Sequence, residues 1–164
     1  MARTIDPPRS EFETLPTPLT VGERRLIDLF DERLPLQWEF YVQPHLNGLR
    51  PDLVILNPTV GIGIFEVKDW DFDAIRYFAE WNASTERPFL MAEDRHGKRF
   101  SREHENPITK IRLYKDELFN IYCPRLRDKL GICDKKAIAA ITGGVVFTCA
   151  RKEELERVFA PFRT

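Results

Sequence analysis

With 164 residues, 43% of them hydrophobic and only 8 glycines, the chain is the size of one domain able to bury a core, which excludes a fibrous, collagen-like or mainly disordered protein. Its 25 Lys and Arg against 26 Asp and Glu leave a formal charge of -1, so there is no global attraction to nucleic acid or to an anionic membrane, and any such partner has to be held by a local patch. Three cysteines, Cys123, Cys133 and Cys149, form no C-x-x-C pair and leave an odd thiol, which argues against a disulfide framework or a cysteine-rich zinc site and fits a reducing, cytoplasmic setting.

The opening residues carry no apolar signal stretch. The longest charge-free apolar run, Ala137 to Ala150, is shorter than the ~20 residues needed to span a bilayer, so a soluble chain without membrane contact is expected. Pro7, Pro8, Pro16 and Pro18 fix their own φ and bias the preceding residues away from helix, so residues 1–19 are expected to be an extended lead-in to a single domain over 20–164. From Thr20 to Leu34 the apolar positions Leu26, Leu29, Phe30 and Leu34 recur at helical spacing, with Glu23 in the first turn and Pro35 as the stop.

Gln37 to Gln43 alternates as a first strand does. Leu53 to Leu56 and Ile62 to Val67 are two β-branched runs joined by Asn57-Pro58-Thr59-Val60-Gly61, the composition of a turn, and predict a central hairpin buried on both faces. Phe89 to Ala92 and Arg99 to Ser101 flank Asp94-Arg95-His96-Gly97 as a peripheral hairpin. Asn106-Pro107 supplies an N-cap and a first-turn proline for a second helix whose apolar face is Ile108, Ile111, Tyr114, Leu118 and Ile121. Ile138 to Thr148 returns to buried β composition, and Arg151 to Phe159 is a short amphipathic helix. The predicted class is α/β, a mixed central sheet flanked by helices on both faces with an αβββαβ core.

Chemistry concentrates on the central hairpin. Glu66 and Lys68 are two residues apart on one strand and share a face, while Phe65 and Val67 point to the other. Asp52 begins the preceding antiparallel strand, so the short turn brings two carboxylates and one ammonium group together. Mg2+ suits such a set, since it binds through one or two carboxylates plus water and substrate phosphate. Asp52 and Glu66 are the candidate ligands, with the Val67 carbonyl as a third, and Lys68 is placed to position a metal-activated water or to stabilise charge on phosphorus. This combination describes phosphodiester hydrolysis. The competing reading is an exposed Glu66–Lys68 ion pair with Asp52 as a turn residue.

Pro51-Asp52, a spacer of thirteen residues, then Glu66-Val67-Lys68 resembles the PD-(D/E)xK nuclease signature. With Gly22-Glu23-Arg24 opening a helix, Gly61 to Trp70 around the triad, and Asn106-Pro107, the chain from about Gly22 to Phe147 resembles the NERD, or nuclease-related, domain. The resemblance implies a restriction-endonuclease-like fold, Mg2+ or Mn2+ dependence, a DNA substrate, and a helicase domain in cis outside this chain. It also implies that Glu23 faces the site from helix one, while a carboxylate favourable to the helix dipole in the first turn accounts for it equally well. Where the family carries Gln after the Asn-Pro pair, this chain has Lys110, which loses the amide's acceptor but can reach a phosphate or the scissile-site water. Tyr114 follows at the family's aromatic position and also lies on the apolar stripe. With that fold, Arg24, Arg50 and Lys110 are the phosphate candidates. Arg125, Arg127 and Lys129 read as a solvated face, and His96 as a turn residue. No G-x-x-x-x-G-K-[ST] loop is present, so this is not an NTPase of that kind. Two function classes remain open: a metal-dependent DNA endonuclease or nicking domain, for which cutting both strands with one site per chain implies a homodimer, and a non-catalytic DNA-binding or regulatory module attached to a helicase.

Overall fold

The computed structural model describes residues 2–123 and 140–163; Arg125, Arg127, Lys129, Cys133 and the start of the run at Ile138 lie outside the described residues. Strands β1 (Ile5–Asp6), β2 (Glu39–Val42), β3 (Leu53–Asn57), β4 (Gly61–Lys68) and β8 (Ile141–Phe147) form one sheet in the order β1-β2-β3-β4-β8. β2, β3 and β4 are antiparallel neighbours, whereas β1 pairs with β2 and β8 pairs with β4 in parallel, so the sheet is mixed, in keeping with the α/β expectation. A second, antiparallel sheet contains β5 (Arg76–Asn82), β6 (Arg87–Glu93) and β7 (Arg99–Ser101). Sequence patterning finds β6 and β7 as its peripheral hairpin but assigns no element to β5, although Tyr77, Ala79 and Trp81 alternate with Arg76, Glu80 and Asn82 and only Phe78 interrupts the pattern.

Helix α1 (Val21–Arg33) covers one face of the main sheet, packing Leu26 and Ile27 on Phe40, Leu53, Ile55 and Val67. Its N-terminus carries a capping box between Thr20 and Glu23. Helix α2 (Pro107–Glu117) covers the other face with Ile111 and Tyr114 against Val54, Ile64 and Ile141. The approach of α2 is close enough that a Cβ on Gly143 of β8 would fall 2.3 Å from Ile111 Cγ2. Helix α3 (Lys152–Phe159) closes a third cluster in which Trp70 stacks on Tyr77 with centroids 4.5 Å apart and joins Phe159 to the second sheet. Between β3 and β4, Asn57 accepts from the Thr59 amide and hydroxyl, and Gly61 takes φ 139 where a side chain would strike the Ala140 carbonyl. Among the described residues no helix is long and apolar enough to cross a membrane.

Several expectations change. The proline-rich segment is not simply extended: β1 pairs with β2, a 3-10 helix runs from Arg9 to Thr14, and Phe12 and Leu19 enter the core around α1. Its Arg3, 2% exposed at the side chain, donates to the carbonyls of Asp31, Leu34, Pro35 and Trp38 and to the Asp31 carboxylate, satisfying one orphan carbonyl in the last turn of α1 and bonding three carbonyls in the chain that follows. Leu29 and Ile121, placed on apolar helical stripes, are about half exposed, because α1 contacts the sheet through a narrower face and the chain leaves α-helical geometry for a π-helical turn over Leu118–Tyr122. Cys149 is exposed and Cys123 partly so.

Truncating Phe12 should therefore cost about 3–5 kcal/mol, as for a buried aromatic. Urea denaturation of Phe12→Ala measures this; a change below about 1 kcal/mol would show residues 1–19 to be dispensable to the core.

Candidate active site

The antiparallel register pairs Leu53 with Phe65, so Asp52, one residue before β3, lies opposite Glu66, and the parallel register sets Glu66 beside Val145. Glu66 is thus an internal residue of a central strand, on the face covered by α2, and is only 1% exposed. A carboxylate at such depth is stable only with donors around it. Three converge. Lys68 Nζ and Lys110 Nζ donate to Oε1 at 2.7 and 2.9 Å, and the Tyr114 hydroxyl donates to Oε2 at 3.2 Å. Lys68 and Lys110 side chains are 14% and 34% exposed, so this carboxylate is reached from solvent through two ammonium groups.

Asp52 accepts the Val67 amide on Oδ2 at 2.6 Å. The N–H and C=O of one strand residue point to the same side, so the Val67 carbonyl also faces the Asp52 edge rather than β8. Burial first, and then repulsion from Glu66 and Glu23 outweighing the Val67 amide and Lys68, push the Asp52 carboxyl up to about 7. Burial, with the negative fields of Glu66 and Asp52, likewise holds the Tyr114 hydroxyl far above its ordinary range, so it remains a donor.

Of the residues expected from sequence, Asp52, Glu66, Lys68 and Lys110 come together, and Val67 bridges them through the backbone. Glu23 is buried and close enough to raise Asp52, but its Oε2 accepts the Thr20 amide at 2.6 Å, the cap expected of a first-turn acid. Arg24 is drawn away into an ion pair with Glu13 at 2.8 Å. The Arg50 guanidinium donates to the Thr17 hydroxyl, while its carbonyl accepts from Tyr114 at 3.3 Å. Tyr114 serves both as core residue and as a donor to the buried acid, a dual role that helical periodicity alone does not separate.

The two short words around the triad have mechanical roles. Asp69 accepts the Gly22 amide at 3.0 Å and the Thr148 hydroxyl, tying the start of α1 to the ends of β4 and β8; these bonds hold its carboxyl below the usual range despite partial burial. Asn106, fully buried, accepts the Ile108 amide at 3.1 Å and donates to Glu103, whose carboxylate also accepts the Leu90 amide. Lys110 follows one turn later, its amide on the Asn106 carbonyl.

For a divalent cation, the donor set is two carboxylates and one carbonyl. Among the described residues no group of three or more His, Cys, Asp or Glu side chains is arranged to hold a metal ion. Two carboxylates with water do fit Mg2+ or Mn2+. Burial, with the charges of Glu66 and Glu23 added to it, raises the Asp52 carboxyl, and Lys68 offsets only part of that rise. Comparison with models of protein families, with curated proteins and with solved structures finds no match for this chain.

The raised Asp52 has a stability consequence. Its folded-state value lies above its unfolded one, so the folded chain loses stability as pH rises from about 4 through about 7. Asp52→Asn keeps an acceptor for Val67 and removes the charge. Thermal unfolding of the metal-free variant should show a higher Tm than the parent at pH 8 and a clearly smaller gain at pH 5; equal gains at both values would contradict a raised Asp52.

Proposed function

We propose that this chain is a metal-dependent DNA nuclease domain of the NERD type that hydrolyses phosphodiester bonds, acting as an endonuclease or nicking activity. The observation supporting this reading is the meeting of Asp52, Glu66 and Lys68 at one point of the central sheet, although Asp52 and Glu66 lie on different strands. Asp52, Glu66 and the Val67 carbonyl are the groups to hold Mg2+ or Mn2+; when bound, the ion supplies polarisation of the phosphate and a water of lowered pKa. Lys68 sits on Glu66 in a nearly water-free setting, where an ammonium group stabilises the charge that develops on phosphate oxygens far better than in bulk water. Ligation would require Asp52 to release the proton that burial favours, so with the ion bound it would serve as a ligand rather than as a proton carrier. Lys110, a third exposed and one turn into α2, offers a second cation to the incoming phosphate.

A second reading, a DNA-binding module without catalysis, is supported by a different observation. Lys68 and Lys110 together already satisfy Glu66 Oε1, so the acid does not need an ion for its burial. The two readings separate on supercoiled plasmid. With Mg2+ or Mn2+ the nuclease produces nicked circles, and Lys68→Ala lowers the rate by about 10²-fold or more; metal-independent, salt-sensitive retention of intact plasmid supports the binding module instead.

Metal affinity carries its own tests. Because Asp52 must lose its proton to ligate, Mg2+ affinity should rise as pH approaches about 7 and level off above it. Lys110→Gln removes the cation competing for Glu66 and should tighten Mg2+ binding several-fold in calorimetry. An unchanged affinity, or a weaker one, would show that Lys110 does not compete with metal.

A further inference from the structure

A second concave site lies on the lead-in side of Asp52. A cavity of about 270 Å3 is bounded by Asp6, Pro7, Leu15 and Pro16 from the N-terminal segment and by Val42, Gln43, Pro44, His45 and Arg50 from the chain between β2 and β3. It adjoins the triad through the backbone: the Gln43 amide donates to the Asp52 carbonyl at 3.0 Å, and Arg50 stands two residues before Asp52.

Two features of the walls point to a ligand. Gln43 is only 7% exposed, yet its Oε1 has no hydrogen-bond partner, an unmet acceptor that ordinary core packing does not leave. The terminal amide torsion of glutamine is broad, so a donor entering the cavity can be met by rotation of that group. Arg50 supplies a guanidinium that donates to the neutral Thr17 hydroxyl and makes no ion pair among the described residues, so an anion entering the cavity gains a charge-assisted partner. Leu15, Pro16, Val42 and Pro44 give the remainder an apolar, rigid lining.

We propose that this cavity receives one nucleotide of the bound strand, its base against the proline and aliphatic walls with a ring amino group donating to Gln43 and its phosphate on Arg50. The inference rests on the nuclease reading and extends it, naming the pocket that sets the strand's position relative to Asp52. Asp6, on the same wall, repels a phosphate and accepts from a base, which orients the nucleotide with phosphate toward Arg50. The volume, a little below the roughly 300–1,000 Å3 of small-molecule sites, holds a single unit rather than a duplex step.

The test is protein-observed NMR titration of the full chain in EDTA with dAMP, dCMP, deoxyribose phosphate and inorganic phosphate. The expected result is binding of dAMP and dCMP with shifts at the Gln43 side-chain amide and His45, and affinities about tenfold weaker for deoxyribose phosphate and inorganic phosphate. Arg50→Ala and Gln43→Met should each weaken dAMP about tenfold; if Gln43→Met does not fold, Arg50→Ala, altered at a surface side chain, carries the comparison. No binding at about 10 mM, binding unaffected by the substitutions, or phosphate binding as tightly as dAMP overturns the proposal. Since EDTA removes cleavage from the readout, failure of the plasmid assay with nucleotide binding intact fails the nuclease reading alone.

Discussion

A carboxylate in the middle of a central strand dictates much of the arrangement around it. Glu66 is almost wholly removed from water, and leaving it without partners would cost several kcal/mol. Its three donors come from two elements, Lys68 from its own strand and Lys110 and Tyr114 from α2. Helix α2 must therefore lie at one distance and one rotation over β4. Gly143 permits the close approach, Ile111 sets it, and the buried Asn106 cap fixes where the helix begins.

Such a centre is poorly optimised for stability. Replacing buried ion pairs by apolar residues is often neutral or favourable, and Asp52 adds a carboxyl whose ionisation the fold opposes. Charge buried at one spot of an otherwise apolar core is the feature on which the proposed site rests. A bound divalent cation would reverse the local field there, so the near-zero charge of the whole chain and chemistry on a polyanion are compatible.

The N-terminal segment takes part in the same economy of support. Arg3 closes the end of α1, Phe12 and Leu19 fill the space beneath it, and residues 6–16 form one wall of the cavity beside Asp52. Asp69 and Trp70, adjacent in sequence, hold opposite partners: Asp69 the start of α1, and Trp70 the second sheet with α3. One strand end thereby joins two packing clusters to the triad.

Local patterns determined the helices α1, α2 and α3, the β3–β4 hairpin and the common face of Glu66 and Lys68, because caps, prolines, turn residues and the two-residue strand period act over a few positions. The nearness of Asp52 to that face also follows from a short turn. Sequence could not show that Lys110 would share the Glu66 oxygen with Lys68 or that Arg24 would turn to Glu13, since each depends on how separate elements pack. It likewise missed β5 and the burial of Phe12, where prolines and mixed polarity mask a role that appears only when β2 and α1 are there to receive the segment. Composition and local periodicity settle which elements form; the depth of a charge, and hence its chemistry, is settled by the tertiary contacts that exclude water from it.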